Sequence, residues 1–241
     1  MTTLFISDLH LDEEWPNIGG QLLSFLEGEA SNADALYILG DLFESWVGDD
    51  DPNEHYASIK IGLRALVDSG VPVYFMHGNR DFMIGKDFEC ETGVALLPDP
   101  TPLELHGTMI LLSHGDVMCT DDLEYQKVRT MTRAPEWQAM MLAKPLEERL
   151  AFAAHARELS QATYESLNEE ITDVNQREVV KAFDEHGVDV LLHGHTHRPA
   201  VHDVELSDRI AQRIVLGDWH EHGSILRWDA NGYSLDTLPR L

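Results

Sequence analysis

Short apolar runs recur along the chain, and several end where polar, metal-binding residue types begin. They are Leu4-Phe5-Ile6, Ala35 to Leu39, Val71 to Met76, Met109 to Leu112, Val188 to Leu192 and Arg213 to Leu216. Such runs are too short and too evenly apolar for surface helices, so they predict buried strands in a sheet covered on both faces. Between them the apolar spacing changes to a helical period. Gln21 to Glu29 gathers Leu22, Leu23, Phe25 and Leu26 on one face. His55 to Ser69 carries Ile59, Leu63, Leu66 and Val67 and stops at Gly70, while Asp173 to His186 carries Val174, Val179, Val180 and Phe183 and stops at Gly187. A glycine just past the last periodic residue is a helix stop signal. Strands alternating with helices predict an α/β layered fold. The tail, Ser224 to Thr237, alternates around Asn231-Gly232, a hairpin signal.

The stretch from 122 to 171 breaks this rhythm. It has no strand-like run, Pro135 and Pro145 punctuate it, and its apolar content lies in Trp137, Met140, Met141, Leu142, Leu146, Leu150, Phe152, Leu159 and Leu167. The pattern predicts an insertion of about three helices between two core strands, within one domain spanning residues 1–241. About two in three of those apolar side chains are expected to pack helix to helix or onto the core.

With 241 residues and 43% hydrophobic content the chain can bury one sizeable core. No window approaches the length of a transmembrane helix, and Met1 to Ile6 enters a strand without a basic region, so no secretory leader is read. Cys90 and Cys119 are too few for a disulfide framework, which fits a reducing compartment. The net charge of -26 excludes nucleic acid, whose binding rests on phosphate neutralisation by Lys and Arg. It also argues against adsorption to an anionic bilayer through a basic patch. Two readings of the acidity stay open: adaptation to a high-salt interior, or an ordinary acidic cytosolic protein.

Five motifs follow the predicted strands in order: Asp8-Leu9-His10, Gly40-Asp41, Gly78-Asn79-Arg80-Asp81, His114-Gly115-Asp116 and Gly194-His195-Thr196-His197. In layered α/β folds ligands bind beyond the carboxyl ends of strands, so all five can converge on one rim. Asp8 and His10, two apart on an extended backbone, can both face one metal; Gly40 lets the chain turn tightly and frees the Asp41 carboxylate. Asn79 offers an amide oxygen, and His114, His195 and His197 offer imidazoles. Hard oxygens mixed with nitrogens suit Mn²⁺, Fe²⁺ or Zn²⁺ rather than a calcium cage or a thiolate site. Two such ions about 3.5–4 Å apart can activate water and hold a phosphoryl oxygen for in-line attack. Asp81 and Asp116 are expected to orient neighbours, the Asp49-Asp50-Asp51 run to be a loop, and Asp12, Glu13 and Glu14 to be solvated.

This series resembles the calcineurin-like metallophosphoesterase superfamily, over residues 1 to 220. The resemblance implies a four-layer αββα sandwich with a helical lid at 122–171. It implies one metal on Asp8, His10, Asp41 and His197, and a second on Asp41, Asn79, His114 and His195, with Asp41 bridging. One position departs from the general pattern: Arg80 follows Asn79 where a histidine is usual. An arginine delivers no proton at neutral pH but clamps phosphate oxygens with two N–H groups. That suits a leaving group that is itself a phosphate, and so a pyrophosphate bond.

Ile38 to Glu44, Trp46 to Asp50, His77 to Phe82, Cys119 to Asp122, His193 to Ala200 and Val215 to Trp219 resemble one branch of that superfamily nearly end to end, the UDP-2,3-diacylglucosamine hydrolases of lipid A synthesis. This implies two metals, most simply Mn²⁺, and water attack on the α-phosphorus of a UDP-linked diacylated glucosamine. It implies peripheral contact with the cytoplasmic face of the inner membrane, and no obligate protein partner. Asp41, Asn79, Arg80 and His195 would be catalytic. Substrate contacts would come from Asn79, Arg80, Asp122, Arg157, Ser160 and His195, with Tyr164 and Leu167 where the family often has polar or basic lid residues. The family's lid is usually basic; here Glu147, Glu148, Glu158, Glu165, Glu169 and Glu170 dominate it. Weighed against this are a metallophosphoesterase for a soluble nucleotide and a metal-free scaffold; the intact donor set disfavours the scaffold, and the long apolar insertion disfavours the small nucleotide.

Overall fold

The computed structural model describes residues 2–164 and 171–239, without the side chains of 160–164. Two sheets lie at its centre. In the first, β1 (Thr2–Ile6), β2 (Ala35–Ile38), β3 (Val73–Met76) and β4 (Ala95–Leu97) run parallel. The hairpin of β10 (Gly223–Asp229) and β11 (Gly232–Leu238) joins this sheet beside β1. In the second, β6 (Thr108–Ser113), β7 (Val190–His193) and β9 (Ile210–Val215) run parallel, flanked by antiparallel edges β5 (Thr101–Leu105) and β8 (Ala200–Glu205).

Alternate residues of one strand feed different cores. Leu4 and Ile6 join a cluster with Leu22, Phe25, Ile59 and Leu63 of α1 (Pro16–Glu27) and α2 (Glu54–Asp68), and with Phe88 of α3 (Lys86–Thr92). Phe5 faces the other way, into a cluster with Ile110, Leu112, Leu192 and Ile214 of the second sheet. On that sheet's outer face Leu111, Leu191 and Ala211 pack against Val179 and Phe183 of α7 (Gln176–His186). Three stacked cores separate four layers, αββα. The uniform apolarity of the strands signals burial on both faces, but it does not say that one of those faces meets a second sheet. Edge strands β4, β5 and β8 carry no such signal: apart from the buried Val204 of β8 their residues are half-buried or exposed, and β5 holds Pro102, which an edge tolerates.

Among the described residues three α-helices stand between β6 and α7: α4 (Leu123–Thr132), α5 (Pro135–Leu142) and α6 (Leu146–Tyr164). Leu167 lies outside the described residues, as do the side chains of Ser160 and Tyr164. Of the eight other apolar side chains expected mostly to pack, Met140, Leu142, Leu150, Phe152 and Leu159 are exposed and only Met141 is fully buried. The insertion is fastened mainly by arginines instead. Arg149, 2% exposed, donates to the Val47 carbonyl at 2.7 Å and to both oxygens of Asp50. Arg133 donates to the Gly78 carbonyl at 2.8 Å and lies over the Phe82 ring, which also meets Trp137. The acidic run is indeed a loop, but a working one. Asp50 holds α6, and Asp49 accepts the backbone N–H groups of Gly85, Asp87 and Phe88 at the start of α3. Arg149→Ala should therefore loosen α6 without unfolding the sandwich. The expected outcome is faster limited proteolysis within 123–164 at unchanged far-UV circular dichroism; an unchanged cleavage rate would place the fastening elsewhere.

Candidate metal centre

Each motif begins one or two residues past a strand end, and the strand ends share one rim. Asp8 and His10 follow β1, Gly40-Asp41 follows β2, Gly78 to Asp81 follows β3, His114 follows β6 and Gly194 to His197 follows β7. Two donor groups result, Asp8 with His10 and His197, and Asp41 with His114 and His195; the donor atoms in each lie within 4.8 Å of one another. The Asp41 Oδ2 sits 3.7 Å from His10 Nε2 and 3.7 Å from His114 Nε2, between the groups. Asn79 Oδ1 lies 3.0 Å from His114 Nε2 and 2.8 Å from His195 Nδ1. The His10 and His197 Nε2 atoms face each other at 3.1 Å. Lone pairs that converge in this way fit divalent cations between them.

The ligand backbone is not extended. Asp8, His10, Asp41, His195 and His197 all have positive φ, between 49° and 66°, and among the described non-glycine residues only His106 shares this. The expectation of Asp8 and His10 on an extended strand is thus corrected. The strand ends at Ile6, and Asp8 and His10 turn through the left-handed region to aim their side chains inward. This conformation costs on the order of 1–3 kcal/mol per residue and persists only where surroundings impose it. Glycines make room for it. Gly40 has φ +91°, and a Cβ on Gly78 would collide with the Asp41 carboxylate and backbone nitrogen.

Asp81 is the clamp between two of these loops. Fully buried, its Oδ1 accepts from Gly78 N at 2.8 Å and Asp41 N at 3.3 Å, and its Oδ2 from Leu42 N at 2.7 Å. Asp116, also fully buried, accepts from Tyr125 Oη at 2.8 Å and Arg129 Nε at 2.9 Å, so it ties α4 to the loop that carries His114. Both are therefore orienting residues. His114 and His10 donate Nδ1–H to the Leu39 carbonyl at 2.9 Å and to Glu44 Oε2 at 2.6 Å, leaving Nε2 to the centre.

The centre is short of positive charge. Burial works against a charged His114 ring, yet Asp41, Asp116 and Asp8 outweigh it and push its pKa up to about 9. Burial, with the His114 charge, drives His195 down to about 4. The carboxylates thus hold a proton where a metal cation would serve, and metal binding would release it.

The rim residues differ in how far they are engaged. Arg80 has its buried Nε unpartnered and NH1 3.7 Å from Glu44. Arg157 reaches from α6 to Asp12 Oδ2 and Glu44 Oε1, each at 3.1 Å. Asp12 is accordingly a partly buried ion-pair partner rather than a solvated acid, whereas Glu13 and Glu14 are exposed. Asp122 accepts from Tyr125 N at 2.9 Å as the N-cap of α4, so part of its carboxylate is already used. His220 stacks on His10 at 5.9 Å. The expectation of a solvated Asp12 is thus corrected, and Glu44, which the Ile38 to Glu44 stretch includes, gave no sign in the sequence of its contacts with His10 and Arg157.

A family profile described as calcineurin-like phosphoesterase matches residues 1–199. The chain belongs to that family. Among curated relatives, this family member is 53% identical to a UDP-2,3-diacylglucosamine hydrolase of Stenotrophomonas maltophilia, over 100% of both chains. It is 51% identical to one of Xanthomonas axonopodis pv. citri, over 99% of each. The fold is also that of a solved archaeal phosphodiesterase, at TM-score 0.50 and 14% identity, covering 99% of this chain and 100% of the other. Membership implies divalent metals, and the two donor groups are in keeping with it.

Replacing Asp81 by Asn would set an amide N–H against backbone N–H groups that now donate to it. An unsatisfied buried donor costs about 1–3 kcal/mol. Asp81→Asn should lose about that much stability in urea titration and bind metal more weakly; unchanged values in both would remove the clamp role.

Proposed function

We propose that this phosphoesterase hydrolyses the pyrophosphate bond of UDP-2,3-diacylglucosamine, giving UMP and 2,3-diacylglucosamine 1-phosphate. The observation that carries the reading is Arg80 beside an intact seven-residue donor set, where a guanidinium can clamp a phosphate leaving group. Full-length identity of about half to relatives named for this substrate supports it. Asp8, His10, Asp41 and His197 would hold one cation, and Asp41, Asn79, His114 and His195 the other, with Asp41 shared. This mixture of carboxylate, amide and imidazole donors suits Mn²⁺, Fe²⁺ or Zn²⁺, and the family resemblance favours Mn²⁺ among them. Bound there, two such ions supply water activation and charge neutralisation at the phosphoryl group.

The protein's own residues supply the rest. Asn79 and His195 orient the phosphoryl oxygens, and Arg80 stabilises the departing phosphate. Water oxygen bonds to the α-phosphorus while the bond to the bridging oxygen breaks; the water's proton is lost to solvent and the lipid phosphate leaves as an anion needing no proton. Asp122, Arg157 and Ser160 would contact sugar and phosphate, with Tyr164 and Leu167 further along the same segment. In this reading residues 122–171 form the lid. The exposed Met140, Leu142, Leu150 and Phe152 supply apolar area for acyl chains or for the surface of a bilayer, each buried CH₂ contributing about 0.8 kcal/mol. No described helix is long and apolar enough to cross a membrane. The diacylated substrate supports peripheral association with a membrane, and the family resemblance implies the cytoplasmic face of the inner membrane.

Two measurements test this. Purified protein with UDP-2,3-diacylglucosamine and Mn²⁺ in H₂¹⁸O should release UMP carrying the label; label in the lipid phosphate would overturn α-phosphorus attack, and no UMP would overturn the substrate. Asp41→Ala should lose both metal and turnover, whereas Arg80→Ala should keep metal and lose about 10²–10³-fold in kcat, as for a lost charge-stabilising donor. An Arg80→Ala enzyme of full activity would remove the leaving-group argument.

A further inference from the structure

Glu44 belongs to none of the five motifs, yet three of the groups that matter most touch it. Its side chain is 11% exposed. Oε2 meets His10 Nδ1 at 2.6 Å, while Oε1 faces Arg157 Nε at 3.1 Å and Arg80 NH1 at 3.7 Å. Asp12 takes the other side of the same Arg157 guanidinium at 3.1 Å. One carboxylate therefore joins the loop after β1, the loop after β3 and helix α6. We propose that Glu44 is a positioning residue, coupling the seat of α6 to the orientation of His10 through its two oxygens. The inference rests on the metal-dependent reading given above.

The geometry makes the coupling specific. A carboxylate accepts on both oxygens, so it takes the imidazole N–H on one side and guanidinium N–H on the other. A donated Nδ1–H fixes the His10 tautomer and leaves the Nε2 lone pair facing Asp41 and His197. With a cation on that lone pair, Nδ1 keeps its proton and the Glu44 contact is locked. The other oxygen then holds Arg157, and with it the outer part of α6. A glutamine of the same shape cannot serve both arms: its carbonyl oxygen satisfies one, and its NH₂ opposes a donor on the other. This hydrogen-bond pattern thus turns metal binding into a fixed seat for a helix that has few packed apolar side chains among its described residues.

The test compares metal-stripped wild type, Glu44→Gln, Arg157→Ala and Asp12→Asn. Mn²⁺ affinity is measured by calorimetry, and amide hydrogen exchange of α6 with and without Mn²⁺ by mass spectrometry. In wild type, Mn²⁺ should slow exchange in α6. Glu44→Gln should bind Mn²⁺ about 10–100-fold more weakly, as for other outer partners of ligating histidines. At saturating Mn²⁺ its α6 exchange should not respond. Arg157→Ala should keep Mn²⁺ affinity and lose the exchange response. Asp12→Asn, whose side chain meets Arg157 and the Glu14 backbone N–H but neither Glu44 nor His10, should keep Mn²⁺ affinity and at least part of the response. A wild-type α6 indifferent to Mn²⁺, or a Glu44→Gln protein with wild-type affinity or response, overturns the coupling. Equal loss of affinity in Asp12→Asn would show a general collapse of the rim and also overturn it. Neither readout uses substrate, so a protein that fails to hydrolyse UDP-2,3-diacylglucosamine but shows the full exchange pattern refutes the substrate alone.

Discussion

Four aspartates, Asp8, Asp41, Asp81 and Asp116, are each no more than 1% exposed and lie around one rim. Burying so much negative charge is prohibitive unless each carboxylate is hydrogen-bonded or paired. Much of the local architecture answers that constraint. Asp8 accepts the His195 backbone N–H on both oxygens at 3.0 Å. Asp81 takes up backbone N–H groups from two loops, and Asp116 takes up a tyrosine and an arginine from α4. Asp41 is served by Arg80 N at 2.8 Å, and its Oδ2 is left between two imidazoles. What remains uncompensated raises the pKa of His114, and this residual demand for positive charge favours a cation at the centre.

The strand-end motifs were legible because two simple rules act together. Even apolarity locates buried parallel strands, and buried parallel strands deliver their ends to one side. Asp8, His10, Asp41, Asn79, His114, His195 and His197 could therefore be gathered on paper from nearly the whole length of the chain. Their backbone could not. Left-handed aspartates and histidines have no composition or spacing cue; they arise from the contest between a turning loop and a side chain that must point inward. The places where local preference loses are the places where the chemistry is, as expected when function competes with ease of folding.

Other features lay beyond any local rule. Glu44 meets His10 across 34 residues and Arg157 meets Asp12 across 145, so neither pair leaves a periodic trace. Edge strands such as β5 and β8 carry no continuous apolar run, so nothing in them resembles the buried strands. The helical insertion was visible as a change of period, but not its mode of attachment. Apolar content suggested a small helical core, and the structure instead turns Met140, Leu142, Leu150 and Phe152 outward while Arg129, Arg133, Arg149 and Arg157 reach inward.

That attachment has a wider implication. A cover bonded to its base through a few guanidinium contacts, rather than through an interlocking apolar interior, can change almost every other residue without disturbing the sandwich below. Its outer face is free to grow more acidic, more greasy or more basic as the surrounding milieu demands. Diversification of such enzymes would then proceed by re-clothing one removable segment while the mineral-binding floor stays as it is.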